Sequence, residues 1–295
     1  MFSAPSVPRS IFHLGLLALL SLPVQGWSKD PEIVTSFSIV DDWTHRLIGP
    51  KISHRTLIPA NSELHGYQLN AQDARALSHA ALIIGLSPAN EPWLADWVRA
   101  NGRESATLWL QDSKSVEVSE DPHTWTDPAM VAKLVVRLGA GLQVKFTDVK
   151  TEDAVKQYVN EIEALDHELV TAFASVPPER RKLVTQHPNL GRFAGRYQLK
   201  VFGTILESPA AEAADPSARR YSDLLKSIRQ EGIRTLVVDE GQNDAIARRL
   251  CQDAGLPPPV AVSFETLAPP GQPGETWLEM MRLNARKLRE ALLRP

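Results

Sequence analysis

Short apolar runs alternate with amphipathic segments through the first half of the chain, and this alternation predicts strands followed by helices. Residues 33–37 form a short β-branched run typical of a strand, and apolar residues recur at helical spacing over residues 41–48. The same patterns predict further strands over 53–58, 81–85 and 107–110, and helices over 70–78 and 93–100. Strands separated by helices indicate βαβ units and a mainly parallel sheet.

The middle of the chain differs, because apolar residues keep helical spacing over two long stretches, 128–146 and 151–173. The second stretch contains no glycine and no proline, and it would extend about 35 Å at 1.5 Å per residue. Thr151 is predicted to cap this helix, and the charges of Glu152 and Asp153 suit its N-terminus. We therefore predict a rigid helix that connects the two halves of the chain.

The second half returns to the alternation and predicts a second α/β unit. Its predicted strands cover 182–185, 201–205, 235–239 and 260–264, and its helices cover 191–197, 217–231, 243–254 and 275–293. The expected fold class is α/β, with two mainly parallel-sheet lobes joined by one long rigid helix. The expected boundaries are an N-terminal lobe over 27–150, a connecting helix over 151–176 and a C-terminal lobe over 177–295.

The N-terminus carries the features of a secretory signal peptide. Arg9 precedes an apolar run over 11–22, and Val24-Gln25-Gly26 offers a cleavage site. The run is shorter than the roughly 20 residues that a membrane-spanning helix needs, although a retained anchor is the alternative interpretation. No cysteine lies near the cleavage site to carry a lipid. We therefore expect residues 1–26 to be a signal peptide and the mature protein to be soluble in a Gram-negative periplasm.

Composition excludes several classes of partner and site. The net charge is −3 and no basic stripe is present, so the sequence does not favour a nucleic-acid partner. Cys251 is the only cysteine, so the chain cannot form an internal disulfide or a thiolate metal site. Its neighbours indicate a helix face, and we expect Cys251 to lie in the core. We also expect a monomer.

Three of the eight histidines lie in separate loop-like segments that are far apart in the sequence: His65, His123 and His187. His123 stands in Asp-Pro-His-Thr-Trp-Thr-Asp-Pro, where two prolines exclude a helix interior and favour a stiff turn. His187 follows the first predicted strand of the second half, and open α/β sheets bind ligands at the carboxyl ends of their strands. A late carboxylate, Glu265, completes the candidate set.

Three neutral imidazoles and one carboxylate form a suitable four-coordinate set for a divalent ion, with Zn²⁺ as the first choice. Ligands this far apart can meet only through a folded chain, so the ion would lie between large structural units. The alternative is a secreted zinc hydrolase, which would keep three ligands and an open water position. The chain contains no His-Glu-x-x-His, no Gly-x-Ser-x-Gly and no glycine-rich phosphate loop. A small-molecule binding protein without metal is a third possibility, and it requires the three histidines to be accidental.

Two residues close to His123 have predicted roles. Trp125 is expected to form a wall of the site, since an aromatic ring beside a metal excludes water and holds ligand side chains in place. Asp127 is expected to cap the helix that begins at Pro128, the position at which proline is favoured. Ordinary packing is the alternative role for Trp125.

Several segments resemble one family over nearly the whole mature chain. The His123 segment is similar to the family pattern Asp-Pro-His-x-Trp-x-Asp-Pro. His65-Gly66-Tyr67-Gln68-Leu69 resembles the loop of the first ligand, and His187 followed by Phe-Ala-x-Arg-Tyr resembles the third-ligand segment. On these motifs the chain resembles the solute-binding proteins of ABC transporters for zinc and manganese, the ZnuA/TroA-like class. The resemblance implies two α/β lobes joined by one long helix, with the metal buried between the lobes.

The resemblance also implies that His65, His123 and His187 are metal ligands. The fourth ligand of the family is usually an Asp in an Asp-Pro-Leu turn, and here Glu265-Thr266-Leu267 falls at that place. Glu265 is therefore the predicted fourth ligand, and Glu240 is the rival carboxylate. The segment 112–121 contains no histidine, so we predict no His-rich loop that collects metal.

The function that the resemblance implies is transport and not catalysis. The protein would capture Zn²⁺ as a transported ligand, with Mn²⁺ as the alternative, and would deliver it to an ABC-type permease in the inner membrane. A metallochaperone that loads the protein is a further candidate partner. The choice between the two metals rests on the donor set, because Mn²⁺ prefers more oxygen ligands than three imidazoles allow.

Overall fold

The computed structural model describes Met1 and residues 32–62, 64, 66–112, 121–206 and 217–294. Residues 2–26 of the predicted signal peptide therefore lie outside the described residues. Within the described ranges, no helix combines the length and the apolar character that a membrane crossing requires.

The first lobe is built on a four-stranded parallel sheet with the order β2-β1-β3-β4. Its strands are β1 (Ile33–Phe37), β2 (His54–Ile58), β3 (Leu82–Gly85) and β4 (Thr107–Trp109). The helices that alternate with them are α1 (Ser38–Ile48), α2 (Ala71–His79) and α3 (Pro92–Ala100). β1 and β3 are buried along their whole length. This burial explains why both strands lack charged residues, because the central strands of a parallel sheet are covered on both faces.

The second lobe repeats this arrangement, and its sheet has the order β6-β5-β7-β8 with parallel neighbours. Its strands are β5 (Lys182–Thr185), β6 (Lys200–Thr204), β7 (Thr235–Asp239) and β8 (Val260–Val262). Two helices lie between the strands of the first and second sheets in the chain, α4 (Pro128–Lys145) and α5 (Glu152–Ala174). The helices of the second lobe are α6 (Gly191–Arg196), α7 (Ala218–Glu231), α8 (Ala245–Ala254) and α9 (Trp277–Leu292). The predicted α/β fold with two parallel-sheet lobes is confirmed, whereas the predicted boundaries between the lobes stay predictions.

The long helix α5 buries one stripe of side chains along its length. The buried residues are Tyr158, Ile162, Leu165, Leu169 and Phe173. Their spacing of three and four residues keeps them on one face, which packs against α1, α4 and α9. The helix therefore contacts elements of both halves of the chain along one continuous face.

The predicted side-chain cap of α5 is wrong. Thr151 stands at the cap position, but its side chain makes no capping hydrogen bond and its backbone is helical instead of extended. Its hydroxyl donates to the carbonyl of Gly139 at 3.1 Å and so ties the start of α5 to α4. Glu152 and Asp153 lie in the first turn, as predicted.

β8 ends two residues earlier than predicted, and this difference shapes the candidate site. The side-chain amide of Asn284 on α9 forms both backbone hydrogen bonds of Ser263. Asn284 Oδ1 accepts from the Ser263 N–H at 3.0 Å, and Asn284 Nδ2 donates to the Ser263 carbonyl. The chain therefore leaves the sheet after Val262 and turns toward the first lobe. Phe264 and Glu265 lie on this turned segment.

The two lobes share apolar core and hydrogen bonds. The rings of Trp43 and Trp277 meet edge to face with centroids 6.2 Å apart, which joins α1 to α9. The backbone N–H of Trp277 donates to Asp42 Oδ2 at 3.0 Å, and that of Asn61 donates to the Leu267 carbonyl at 2.9 Å. Direct packing of this kind holds the carboxyl ends of the two sheets near each other.

Candidate metal centre

His123 lies in a turn that its own neighbours hold in place. Asp121 Oδ1 accepts from the backbone N–H of His123 at 3.0 Å and lies 2.8 Å from Nδ1 of the same residue. The Thr126 hydroxyl donates to the His123 carbonyl at 2.8 Å. Asp127 Oδ1 accepts from the backbone N–H of Ala129 at 2.9 Å, which confirms its predicted role as the cap of α4. The imidazole is buried, so this network fixes its direction.

Trp125 connects the His123 turn with the segment that carries Glu265. Its ring meets the His123 ring edge to face, with centroids 5.2 Å apart. Its indole N–H donates to the Phe264 carbonyl at 2.6 Å, and the Trp277 indole N–H donates to the Trp125 carbonyl at 2.9 Å. This buried tryptophan thus packs on one candidate ligand and holds the backbone beside another.

His187 lies directly beyond the carboxyl end of β5. Its Nδ1 is 2.6 Å from Oδ2 of Asp239, the last residue of the neighbouring strand β7. The Thr185 hydroxyl donates to the His187 carbonyl at 2.7 Å. Asn189 Nδ2 donates both to Asp239 Oδ1 at 2.8 Å and to Glu265 Oε1 at 3.0 Å. His187 and Glu265 are thereby linked through two side chains.

Two of the predicted ligands from different lobes come close together. His123 Nε2 of the first lobe lies 4.0 Å from Glu265 Oε1 of the second. In both His123 and His187, Nδ1 faces a carboxylate. A proton on Nδ1 leaves the lone pair of each ring on Nε2, the arrangement common among metal-binding histidines.

The other two candidates differ from this group. His65 lies outside the described residues, but its neighbour Leu64 lines two adjoining cavities, one of about 320 Å³ beside Glu265 and one of about 730 Å³ beside His123. Glu240 also borders the smaller cavity, but its side chain is 55% exposed and contacts Lys287 Nζ at 2.9 Å. Among the described residues, which omit His65, no three His, Cys, Asp or Glu side chains are arranged to hold a metal ion.

The carboxyl of Asp121 is stabilised in its ionised form by its neighbours His123 and Arg192. Burial raises the pKa of the Asp121 carboxyl, but hydrogen bonds from His123 and the nearby Arg192 guanidinium outweigh burial and bring the pKa below its usual value. The carboxylate therefore stays ionised next to the imidazole and favours a proton on Nδ1.

Glu91 is a buried carboxyl in the loop that supports the His123 turn. Its Oε2 accepts from the backbone N–H groups of Leu86 at 2.7 Å and Ser87 at 3.1 Å. Burial raises the pKa of Glu91 to about 7, although these hydrogen bonds lower it in part. Asn90, the preceding residue, donates from Nδ2 to the Pro122 carbonyl at 3.0 Å and so joins this loop to the turn.

Three residues of the site, Asp121, Asn189 and Asp239, are not among those predicted from the sequence. The role of Asp121 could have been predicted locally, because an Asp side chain commonly accepts from the backbone N–H two residues later, which here belongs to His123. The position of Asp239 could have been predicted from the topology. It ends a strand predicted to be parallel to the strand before His187, and parallel strands place their carboxyl ends at the same edge of the sheet. No pattern in the sequence pointed to the two bonds of Asn189.

Comparison with known proteins identifies the family. A family model described as ZnuA, zinc-uptake complex component A, periplasmic, matches residues 33–291. The chain belongs to this family. The resemblance found in the sequence motifs is thereby confirmed, and the protein is a substrate-binding component of a metal-uptake system.

Curated relatives align over almost the whole chain at low identity. The metal ABC transporter substrate-binding lipoprotein SsaB of Streptococcus sanguinis is 25% identical, over 95% of this chain and 98% of its own. The manganese ABC transporter substrate-binding lipoprotein PsaA of Streptococcus pneumoniae is also 25% identical, over 94% of each chain.

Solved structures share the fold. The periplasmic zinc-binding protein TroA of Treponema pallidum has a TM-score of 0.80 at 20% identity, covering 90% of this chain and 100% of that protein. A manganese-bound periplasmic metal-binding protein of Candidatus Liberibacter asiaticus has a TM-score of 0.77 at 20% identity, covering 88% of this chain and 99% of that protein. At this identity the likeness establishes the architecture of the two lobes.

Proposed function

We propose that this protein captures Zn²⁺ in the periplasm and delivers it to an ABC-type permease, with His65, His123, His187 and Glu265 as ligands. The observation that carries the proposal is the convergence of His123 and Glu265 from opposite lobes, 4.0 Å apart. The link from Glu265 through Asn189 to Asp239, the carboxylate that faces His187, supports the inclusion of His187.

The chemistry of the two described histidines favours a divalent metal over an ordinary core role. Each ring has a carboxylate within 2.8 Å of Nδ1, namely Asp121 for His123 and Asp239 for His187. Such a carboxylate fixes the ring direction and makes Nε2 a better donor to a metal. In His123 the other ring nitrogen, Nε2, faces a second predicted ligand, Glu265, across the junction of the lobes at 4.0 Å.

Glu265 is the better candidate for the fourth ligand. It lies on the segment that turns out of β8 toward the first lobe, and it is close to His123 and hydrogen-bonded to Asn189. Glu240 instead pairs with Lys287 at the surface, so metal binding would require it to leave that ion pair. The contacts therefore support Glu265 over its rival.

The surroundings of His65 support its inclusion in the ligand set. Asn61 bonds to the Leu267 carbonyl, two residues beyond Glu265. On the other side of His65, the Tyr67 hydroxyl donates to Asp73 Oδ2 at 2.7 Å. Described anchors therefore flank His65 on both sides, and its neighbour Leu64 lines the cavities beside Glu265 and His123.

Zn²⁺ is proposed in preference to Mn²⁺ because of the donor atoms. Three imidazole nitrogens and one carboxylate suit a borderline ion that accepts four ligands, whereas Mn²⁺ favours sites richer in oxygen. The family description refers to zinc uptake, but several streptococcal relatives are named for manganese. Competition between Zn²⁺ and Mn²⁺ measures this preference directly.

Export to the periplasm is proposed to use the signal peptide predicted in residues 1–26. The permease in the inner membrane is the proposed recipient of the metal, and a metallochaperone is a further candidate partner. We propose that the protein acts as a monomer and catalyses no reaction, since four protein ligands would leave no open position for a reacting water.

Competition with a chelator of known affinity tests the proposal. Protein purified from periplasm should bind one Zn²⁺ per chain and should prefer Zn²⁺ to Mn²⁺ at equal free concentrations. The variant Glu240→Gln, which changes an exposed carboxylate beside the site, should bind as the wild type does. Binding of no metal would overturn the proposed function, and a preference for Mn²⁺ would overturn the choice of ion.

A further inference from the structure

We propose that Asp121 is a positioning residue that couples the docking of α6 to the orientation of His123, and that Gly191 makes this coupling possible. The inference rests on the proposed function, since it takes His123 as a metal ligand. It assigns a role to a contact between the lobes that the ligand set itself does not include.

Asp121 uses its two carboxylate oxygens for opposite sides of the junction. Oδ1 faces the first lobe, where it contacts the backbone N–H and Nδ1 of His123 at 3.0 and 2.8 Å. Oδ2 faces the second lobe and accepts from the backbone N–H of Arg192, in the first turn of α6, at 3.1 Å. The Arg192 guanidinium adds a bond from Nε to the Asp121 carbonyl at 2.6 Å. One rigid carboxylate thus contacts both lobes.

Gly191 lies where this carboxylate meets the start of α6. A Cβ atom at Gly191 would stand 2.7 Å from Asp121 Oδ2, which is closer than real Cβ atoms approach an oxygen. Its backbone does not have the positive φ at which glycine is favoured, so conformation does not explain the residue. We attribute Gly191 to the space that Asp121 needs.

Displacement of Asp121 would disturb His123, because the carboxylate is planar and its two oxygens contact His123 and the Arg192 N–H. A methyl group at Gly191 would push Oδ2 away, and Oδ1 would move with it and leave the distance that suits His123 Nδ1. The His123 ring would then lose the partner that sets its proton position and its direction. The edge contact with Trp125 would remain, so the ring would stay packed but would point less accurately.

Gly195 provides a matched control within the same short helix. A Cβ atom at Gly195 would meet nothing within 4 Å. The variants Gly191→Ala and Gly195→Ala therefore make the same chemical change in α6 and differ in contact with Asp121. We expect Gly191→Ala to raise the Kd for Zn²⁺ about tenfold, the lower end of the range for groups that orient a ligand, and Gly195→Ala to leave it unchanged.

A double-mutant cycle shows whether Gly191 acts through Asp121. If it does, Gly191→Ala should have no further effect on the Kd once Asp121→Ala is present, because the clash has been removed. An equal effect of Gly191→Ala in both backgrounds would overturn the proposal. Equal Kd values for Gly191→Ala and the wild type would also overturn it.

A measurement on metal-free protein separates this inference from the proposed function. In ¹⁵N-histidine NMR spectra, the wild type and Gly195→Ala should show a hydrogen-bonded proton on His123 Nδ1, and Gly191→Ala should lose that signal. If His123→Ala binds Zn²⁺ as tightly as the wild type, the proposed function fails, but the spectra still test the contact. Should Gly191→Ala not fold, Asp121→Asn takes its place: it should raise the Kd about tenfold, and an unchanged Kd would contradict the role of Asp121.

Discussion

The two lobes orient their buried histidines in different ways. In the first lobe the carboxylate that faces His123 belongs to Asp121, two residues earlier in the same turn. In the second lobe the carboxylate that faces His187 belongs to Asp239, which is 52 residues away and ends a different strand. The first arrangement depends on a local turn, whereas the second depends on the register of a parallel sheet.

The register explains how the distant pair meets. Thr185 of β5 is paired with Val237 of β7. His187 and Asp239 each follow this pair by two residues, so both lie at the same edge of the sheet. Asp239 also holds Asn189, which in turn bonds to Glu265. A change at Asp239 should therefore affect two predicted ligands, whereas a change at Asp121 should affect His123 and the contact with α6.

The largest effect is expected from removing either histidine. Zinc sites with four ligands bind with about 10–16 kcal/mol, so each imidazole contributes on the order of 3 kcal/mol. His123→Ala and His187→Ala should each weaken Zn²⁺ binding about 100-fold or more, as measured by chelator competition. The two lobes should give similar losses. If only one of the two variants loses affinity, the ion binds to a single lobe.

A smaller loss is expected for Glu265→Ala, because water can occupy the place of a lost carboxylate ligand. We expect about tenfold to 100-fold weaker Zn²⁺ binding, less than for His123→Ala. Glu240→Ala, in the same competition assay, should change the Kd by less than about threefold. If Glu240→Ala is the more damaging variant, the fourth ligand is wrongly assigned.

The carboxylates that orient the histidines provide the direct comparison between the lobes. Asp239→Asn and Asp121→Asn should each weaken Zn²⁺ binding about tenfold, since an orienting partner contributes less than a ligand. Asp239→Asn should have the larger effect, because it also disturbs Asn189. Calorimetric titration of both variants measures the order. A larger loss of affinity for Asp121→Asn would show that the local turn contributes more to the orientation of the ligands than the sheet register does.

The smallest effect on binding is expected at Glu91, where the consequence is a change in pH dependence. Glu91 follows β3 and is buried, whereas Glu240 follows β7, the corresponding strand of the second lobe, and is exposed. Burial raises the pKa of Glu91 to about 7 from an ordinary 4.5, so the folded protein keeps a proton that the unfolded chain has released. The contribution of Glu91 to the free energy of unfolding should therefore fall as the pH rises from 4.5 to about 7 and then level off.

Glu91→Gln removes this titration and keeps the shape of the side chain. Its unfolding free energy should fall less than that of the wild type over the same interval, by a few kcal/mol on the scale of about 1.4 kcal/mol per unit of pKa shift. Urea denaturation at several pH values provides the measurement. Glu240→Gln makes the same chemical change at an exposed carboxyl and serves as the control. Identical slopes for Glu91→Gln and the wild type would contradict the buried, protonated carboxyl.

Local patterns predicted most of the secondary structure. Each of the eight described strands overlaps a predicted strand, because a short run rich in β-branched and apolar residues between turn signals is typical of a strand. The errors occurred where a distant partner decides the local structure. Asn284 ends β8 early by bonding to Ser263, and the bond from Thr151 to Gly139 replaces the predicted cap.

The same distinction applies to the site. Prolines and nearby polar residues marked the His123 turn, and the cap by Asp127 followed from the sequence. The bridge by Asn189 and the space left by Gly191 depend on how the lobes meet, which no single segment encodes.

A crystal structure of the zinc-loaded protein, with anomalous diffraction at the zinc edge, tests the central claim most directly. The account predicts one zinc peak at the junction of the lobes, about 2.0–2.2 Å from Nε2 of His123, Nε2 of His187, an imidazole nitrogen of His65 and the carboxylate of Glu265. A zinc ion bound by ligands of one lobe only, or bound by Glu240 in place of Glu265, would contradict it.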